Sequence, residues 1–309
     1  MIGVERVGYK LVVAYDGTDF CGWQKQEPPA AEFGDESVEG AAVGTKGEVL
    51  GRIVKDGIER VQLRSVQHVL ERAVRDALRE EVALTGASRT DSGVHAWGQT
   101  AFFVSEPQGD KGVGWPAERG VEKLVKAVNG RLPRDVWVRS AEIVEEDFNV
   151  IGGAVSKEYT YTIACGEARP VFGRRYVWHT WYDLDVAKMN EAAQVLIGEH
   201  DFAGFAQINH GRKTTVREIF SCGVEGLDGE GDVIGLGGDG VKLVRVRVSG
   251  SGFLYNMVRI IAGTLVEVGR GKMGVDDVRA VVAEADRLKN RGMTLPAMGL
   301  RLEWIKYGK

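Results

Sequence analysis

Residues 65–105, SVQHVLERAVRDALREEVALTGASRTDSGVHAWGQTAFFVS, run from a helix pattern through a glycine-bounded loop into a strand pattern. Val66, Val69, Leu70, Ala73, Val74, Ala77 and Leu78 recur at the i, i+3, i+4, i+7 spacing, which predicts a helix over 66–80 with Ser65 as N-cap. TAFFVS at 100–105 predicts a strand. Between them, GASRTDSGVHAWGQ packs Arg89, Asp91 and His95 among glycines. Thr-Asp-Ser-Gly is good turn chemistry, so the stretch alone reads as a tight turn. The functional alternative is a loop that presents Asp91 into a cleft.

Outward from this stretch the same alternation continues. On the N-terminal side, YKLVVAY (9–15) is a strand followed by the turn pair Asp16-Gly17. Residues 27–47 are rich in Gly, Ala, Pro and Glu and read as a flexible surface insertion. VLGRIVK and IERVQLR flank Asp56-Gly57 and suggest a short accessory hairpin. On the C-terminal side come a loop over 106–120 and a helix over 121–129. KEYTYTI (157–163) is a strand, and Val186, Met189, Ala193, Leu196 and Ile197 mark a helix after Asp185. VKLVRVRV (241–248) is a strand, 253–268 a largely apolar helix, and GLRLEWIKY (299–307) the last strand.

Both halves therefore run strand, helix, strand, without strict βαβ alternation. That pattern favours α+β over a doubly wound parallel sheet. At 309 residues about two domains are expected. We expect two α+β lobes sharing a cleft: 1–150, which carries the Asp91 loop and the 27–64 insertion, and 151–309.

Composition removes several function classes. With 44% hydrophobic and 27% charged residues the chain is an ordinary globular protein. Cys21, Cys165 and Cys222 are far apart, so neither a disulfide framework nor a thiolate zinc site is readable. No long apolar run predicts a signal peptide or a membrane span, and a cytoplasmic location is expected. The net charge of −4 argues at first sight against nucleic acid. Residues 27–64 hold eight acids and five bases, however, and without them the chain has 36 acids and 35 bases. A near-neutral remainder can carry a basic surface.

Three further features need weighing. Gly235, Gly237 and Gly240 satisfy G-x-G-x-x-G, but they lead into a strand and not a helix, so a hairpin loop is the better reading. Arg259 lies in the apolar helix among Met257, Val258, Ile260 and Ile261. Either it snorkels to solvent or it pairs with a carboxylate such as Asp91, keeping that group ionised. Tyr159 shares a strand face with Tyr161 and Ile163, and periodicity alone reads it as core.

YDGTDFCGWQ (15–24), ASRTDSGVHAWGQ (87–99), KEYTY (157–161), NMVRIIAGTLVEVG (256–269) and AMGL (297–300) stand in the order found in one family. Over 9–307, leaving out 27–64, the chain resembles the tRNA pseudouridine synthase A (TruA) family. The Arg-Thr-Asp spacing is intact, although Ser88 stands where many relatives have Gly before the Arg. The resemblance implies a pseudouridine synthase fold: two ferredoxin-like α+β lobes around a mixed, mainly antiparallel sheet with a central cleft. It implies a catalytic aspartate at Asp91, acting on C1′ or the 2′ position of the target uridine. By the same resemblance Arg89 assists base flipping, Tyr159 stacks on the uracil and assists proton removal from C5, Arg259 salt-bridges Asp91, and Leu300 lines the base pocket. His95 and Trp97 are given support roles. The implied reaction needs no cofactor or metal. Its substrate is the tRNA anticodon arm, at uridines 38–40, and the implied assembly is a homodimer. The acidic insertion would be repelled by phosphate and is expected to lie away from the RNA. Two other readings are an RNA-binding module without turnover and a carbohydrate-processing enzyme, which would need a second carboxylate.

Overall fold

The computed structural model describes residues 6–32, 47–208, 213–227 and 241–308. The chain divides into two compact units, Met1–Ala154 with Tyr307–Lys309, and Val155–Lys306.

The first unit contains β1 (Val7–Tyr15), β2 (Val49–Lys55), β3 (Ile58–Leu63), α1 (Val66–Leu78), β4 (Thr85–Gly86), β5 (His95–Ser105), α2 (Val121–Asn129) and β6 (Val136–Val144). β1 is central, antiparallel to β5 on one side and to β6 on the other, and β4 extends β5. Alternation along β1 sends Tyr9, Leu11 and Val13 into the core, where all three are fully buried. The Tyr9 and Phe103 rings stack at 5.3 Å. Leu70, Val74 and Leu78 of α1 and Leu124 and Val128 of α2 are buried as well. Each such side chain contributes about 1.5–3 kcal/mol. On β6 the Asn129 amide bonds both the N–H and the C=O of Val138, each at 2.8 Å, which satisfies polar groups of that strand.

Boundaries differ from the sequence pattern for local reasons. Ser65 does cap α1, accepting the His68 N–H at 3.2 Å. The helix stops at Leu78 and not at 80, because Arg79 turns left-handed at φ 51°. β5 begins at His95, five residues before the pattern-based start, so the last five residues of the motif, His95 to Gln99, are strand. The hairpin over VLGRIVK and IERVQLR is present as β2 and β3, with Asp56 and Gly57 both at positive φ as a primed turn requires.

The described residues at the two ends of the 27–64 insertion are tied into the first unit. Val61 and Leu63 donate backbone hydrogen bonds to Pro28 and Gln26. Arg64 is buried, forks onto Asp135 at 3.1 and 2.9 Å, meets Glu48 at 3.0 Å and lies 4.0 Å over the Phe20 ring. Arg64, which the charge count included in the insertion, is part of the packed interior.

The second unit holds most of β7 (Ala154–Cys165), then β8 (Trp178–Thr180), α3 (Val186–Gln194), β9 (Gly198–Asp201), β10 (Val216–Gly226), β11 (Lys242–Gly250), α4 (Met257–Gly269), α5 (Val275–Glu284) and β12 (Leu300–Tyr307), whose last residue belongs to the first unit. Strand order is β12-β7-β11-β10-β9, with β8 parallel beside the end of β7. The β7–β11, β11–β10 and β10–β9 pairs are antiparallel, so the architecture is α+β. Asp185 caps α3 as expected, but the helix ends at Gln194, and Leu196 is buried beyond it. α4 starts at Met257 and not at 253, because Asn256 is left-handed at φ 60°. The three glycines of the G-x-G-x-x-G match lie outside the described residues; the segment joins the antiparallel neighbours β10 and β11, and no helix follows it.

Candidate active site

In the first unit two motif segments interlock. Residues 87–94 cross from β4 to β5, and residues 16–24 leave the end of β1 beside them. The Tyr15 and Thr90 hydroxyls are 2.7 Å apart, and Trp23 N–H donates to Thr90 O at 3.0 Å. Ser92 Oγ donates to Phe20 O at 3.1 Å. Gly17 N–H donates to His95 Nδ1 at 3.1 Å, and Asp16 Oδ1 lies 3.2 Å from the same nitrogen. A second grip comes from Gln99, whose Oε1 accepts the Ser88 N–H at 3.2 Å while its Nε2 donates to Ser88 O at 2.5 Å.

The interlock requires backbone without side chains. A Cβ on Gly17 would sit 1.9 Å from Val94 O, and Gly22, at φ +120°, would bring one to 2.9 Å from Thr90 O. Val94 N–H closes the turn onto Asp91 O at 3.1 Å. The result is a loop whose middle residue, Thr90, is buried, with Asp91 half-exposed and Arg89 exposed on either side of it. His95 is buried and braces the loop, whereas Trp97 is exposed with the Arg139 guanidinium 4.2 Å from its ring centre. A groove of about 730 Å³ between α2 and β6 is lined in part by Val125, Trp137 and Arg139, and none of the candidate residues lines it.

In the second unit the candidates sit on regular elements. Tyr159 pairs across the sheet with Val248 and meets the Phe253 ring edge-on at 5.3 Å. Every residue of α4 is buried except Arg259 and Glu267. Arg259 is half-buried; its Nε donates to Leu295 O at 2.5 Å and its Nη1 to Asn256 Oδ1 at 2.7 Å. Tyr161 is the neighbour that joins this arginine to the strand. Its hydroxyl donates to Pro296 O at 2.7 Å, and its ring packs so close to Gly299 that a Cβ there would come within 2.6 Å. Burial raises the Tyr161 phenol far above its ordinary range, against the opposing pull of the Arg259 charge, so it stays protonated. Leu300 follows directly and is buried at the start of β12, next to β7. Arg259, Tyr161 and the 295–300 segment are thus brought together in this unit, with Tyr159 one strand repeat away.

Tyr161, Asn256 and Phe253 hold the candidates and were not singled out by sequence. The left-handed Asn256 ahead of an apolar helix is the one local signal that could have marked the grip on Arg259. Burial raises the thiols of Cys165 and Cys222, the latter to about 12, which makes both poor nucleophiles.

The first unit thus presents one half-exposed carboxylate, Asp91, on a braced loop beside the exposed Arg89. A family model described as tRNA pseudouridine synthase matches residues 11–151 and 192–308. The tRNA pseudouridine synthase A of Geobacter sp. (strain M21) is 38% identical over 298 residues, covering 96% of this chain and 98% of that protein. Those of Citrifermentans bemidjiense and Acetivibrio thermocellus are 37% and 34% identical over the same length, each covering 96% of this chain and 96% and 98% of the relative. The chain belongs to the tRNA pseudouridine synthase family.

Proposed function

We propose that this chain isomerises uridine to pseudouridine in tRNA, at positions 38, 39 and 40 of the anticodon stem-loop, with Asp91 as its catalytic carboxylate. The observation that supports the assignment is the braced 87–94 loop, which buries Thr90 while Asp91 stays half-exposed beside the exposed Arg89.

The chemistry suits these residue types. The N1–C1′ bond breaks with its electron pair leaving on uracil, the base turns, and a C5–C1′ bond forms. C5 then loses its proton and N1 gains one, so substrate and product are isomers. Because the detached base is retained, one carboxylate suffices where a glycosidase needs two. Asp91 acts at the ribose, on C1′ or the 2′ position. Arg89 enters the stack as the uridine leaves it, an extrusion costing a few kcal/mol. Tyr159 supplies the ring on which uracil stacks and assists removal of the C5 proton. Leu300 contributes an apolar wall that keeps water from the reacting carbon. Arg259 is the counter-charge that keeps Asp91 ionised. The working form is a homodimer in the cytoplasm.

Pseudouridine mapping of unmodified tRNA treated with the wild-type protein tests the assignment. New pseudouridine confined to 38–40 is expected; product elsewhere, or none, contradicts it.

A further inference from the structure

Between β7 and α3 the second unit carries GEARPVFGRRYVWHTWY (166–182), a segment that the catalytic reading leaves unused. It has three arginines, Arg169, Arg174 and Arg175, against one acid, Glu167, in a chain whose net charge is −4. Four of its rings are open to solvent: Phe172 at 72% exposure, Trp181 at 56%, Tyr182 at 50% and Tyr176 at 39%.

The rings and cations are organised together. The Arg169 guanidinium lies 5.0 Å from the Trp181 ring centre, and His179 meets the same ring edge-on at 4.6 Å. Arg270, paired with Glu267 at 2.7 Å, lies 3.7 Å over Tyr182. The backbone is held as well: Gly166 N–H donates to Thr180 O at 3.1 Å and Tyr176 N–H to Gly173 O at 2.8 Å. Arg174 Nη1 donates to Val171 O at 3.1 Å, shaping the turn that carries Phe172. A preformed loop loses little conformational freedom on binding.

Exposed aromatic faces interleaved with guanidinium groups match nucleic acid. Every base offers a π-face for stacking, and arginine engages phosphate through its fork. We infer that residues 169–182 form an accessory RNA-binding surface that takes unpaired nucleotides of the tRNA substrate. Phe172 and Trp181 stack on bases, while Arg169, Arg174 and Arg175 meet the backbone. The inference rests on the tRNA-substrate reading above.

Two variants test it, Phe172→Ala with Trp181→Ala, and Arg169→Gln with Arg174→Gln and Arg175→Gln. tRNA binding is measured as a function of salt, beside turnover and the thermal midpoint. Loss of stacking on two bases predicts a Kd and KM raised about tenfold or more, with kcat within about twofold of wild type. The arginine variant should lower the slope of log Kobs against log salt by about two, since each single-strand phosphate contact contributes about 0.7. Trp181→Phe should retain wild-type affinity. Affinity and salt slope unchanged in both variants would overturn the proposal. So would an affinity loss that accompanies dissociation of a wild-type dimer in sedimentation, since the patch would then cover a second copy. If the wild-type protein makes no pseudouridine, the activity reading fails, and the binding comparison still decides this one.

Discussion

The two units hold their candidate residues by opposite means. In the first, Asp91 and Arg89 stand on a loop with no regular structure of its own, and its shape comes from a second loop locked against it. In the second, Tyr159 and Arg259 stand on a strand and a helix that would form for core-packing reasons alone. A loop of that kind needs particular residues at many positions: Gly17 and Gly22 for close approach, Tyr15 and Trp23 for hydrogen bonds to Thr90, His95 and Gln99 as braces. A strand or helix asks only for apolar residues at the right period, and a functional side chain there looks like its neighbours.

If the comparison is right, damage to the interlock should be the most severe. Gly17→Ala places a methyl 1.9 Å from Val94 O, where backbone must move. We expect a stability loss of about 3 kcal/mol and, from the displaced loop, a fall in turnover of about a hundredfold. Thermal unfolding and single-turnover kinetics check both. Near-normal activity would show that the two loops are not mechanically coupled.

In the second unit the effect should be smaller and confined to turnover. Arg259→Lys keeps the charge but cannot reproduce the two hydrogen bonds to Leu295 O and Asn256 Oδ1. Turnover should fall about tenfold, or ~1.4 kcal/mol in the barrier, while tRNA affinity holds. A matched fall in affinity would instead make Arg259 a binding residue.

A third effect concerns stability alone, in the plain core of that unit. Burial raises the Cys222 thiol to about 12, so the folded chain keeps a proton that the unfolded chain releases above about pH 9. Stability is therefore fully present below about pH 9 and is lost as pH rises toward 12. Denaturant unfolding at pH 8 and pH 10.5 should show that loss in the wild type. Cys222→Ala should flatten it by up to ~1.4 kcal/mol per pH unit. An unchanged slope would assign the alkaline sensitivity elsewhere.

The contrast also explains what could be read from sequence. α1, with its periodic valines and leucines and its Ser65 cap, was legible almost to the residue, as was the hairpin turn at Asp56-Gly57. β6 was missed because only Val136 and Val138 are buried in an otherwise exposed strand. α5 was missed because only Val278 and Val281 face inward among charged neighbours. Charge counting could not place Arg64, since three polar partners at a distance in sequence decide its burial. The stretch around Asp91 was conspicuous because the interlock demands an unusual run of residues, but alone it read as a tight turn, and the catalytic assignment of Asp91 came from the resemblance. Tyr159 read as core, and it is in fact nearly buried against Phe253; its assignment came from the resemblance, not from the pattern.

The central claim is that Asp91 does the chemistry while the loop that carries it is held independently. Asp91→Asn removes the charge and keeps the shape. The measurement is single-turnover pseudouridine formation on tRNA beside equilibrium tRNA binding, for wild type and Asp91→Asn. The account predicts no detectable product from the variant, with tRNA affinity within about threefold of wild type, or ~0.6 kcal/mol. Product formation by Asp91→Asn at a rate near wild type would contradict it, as would an affinity loss as large as the loss of turnover.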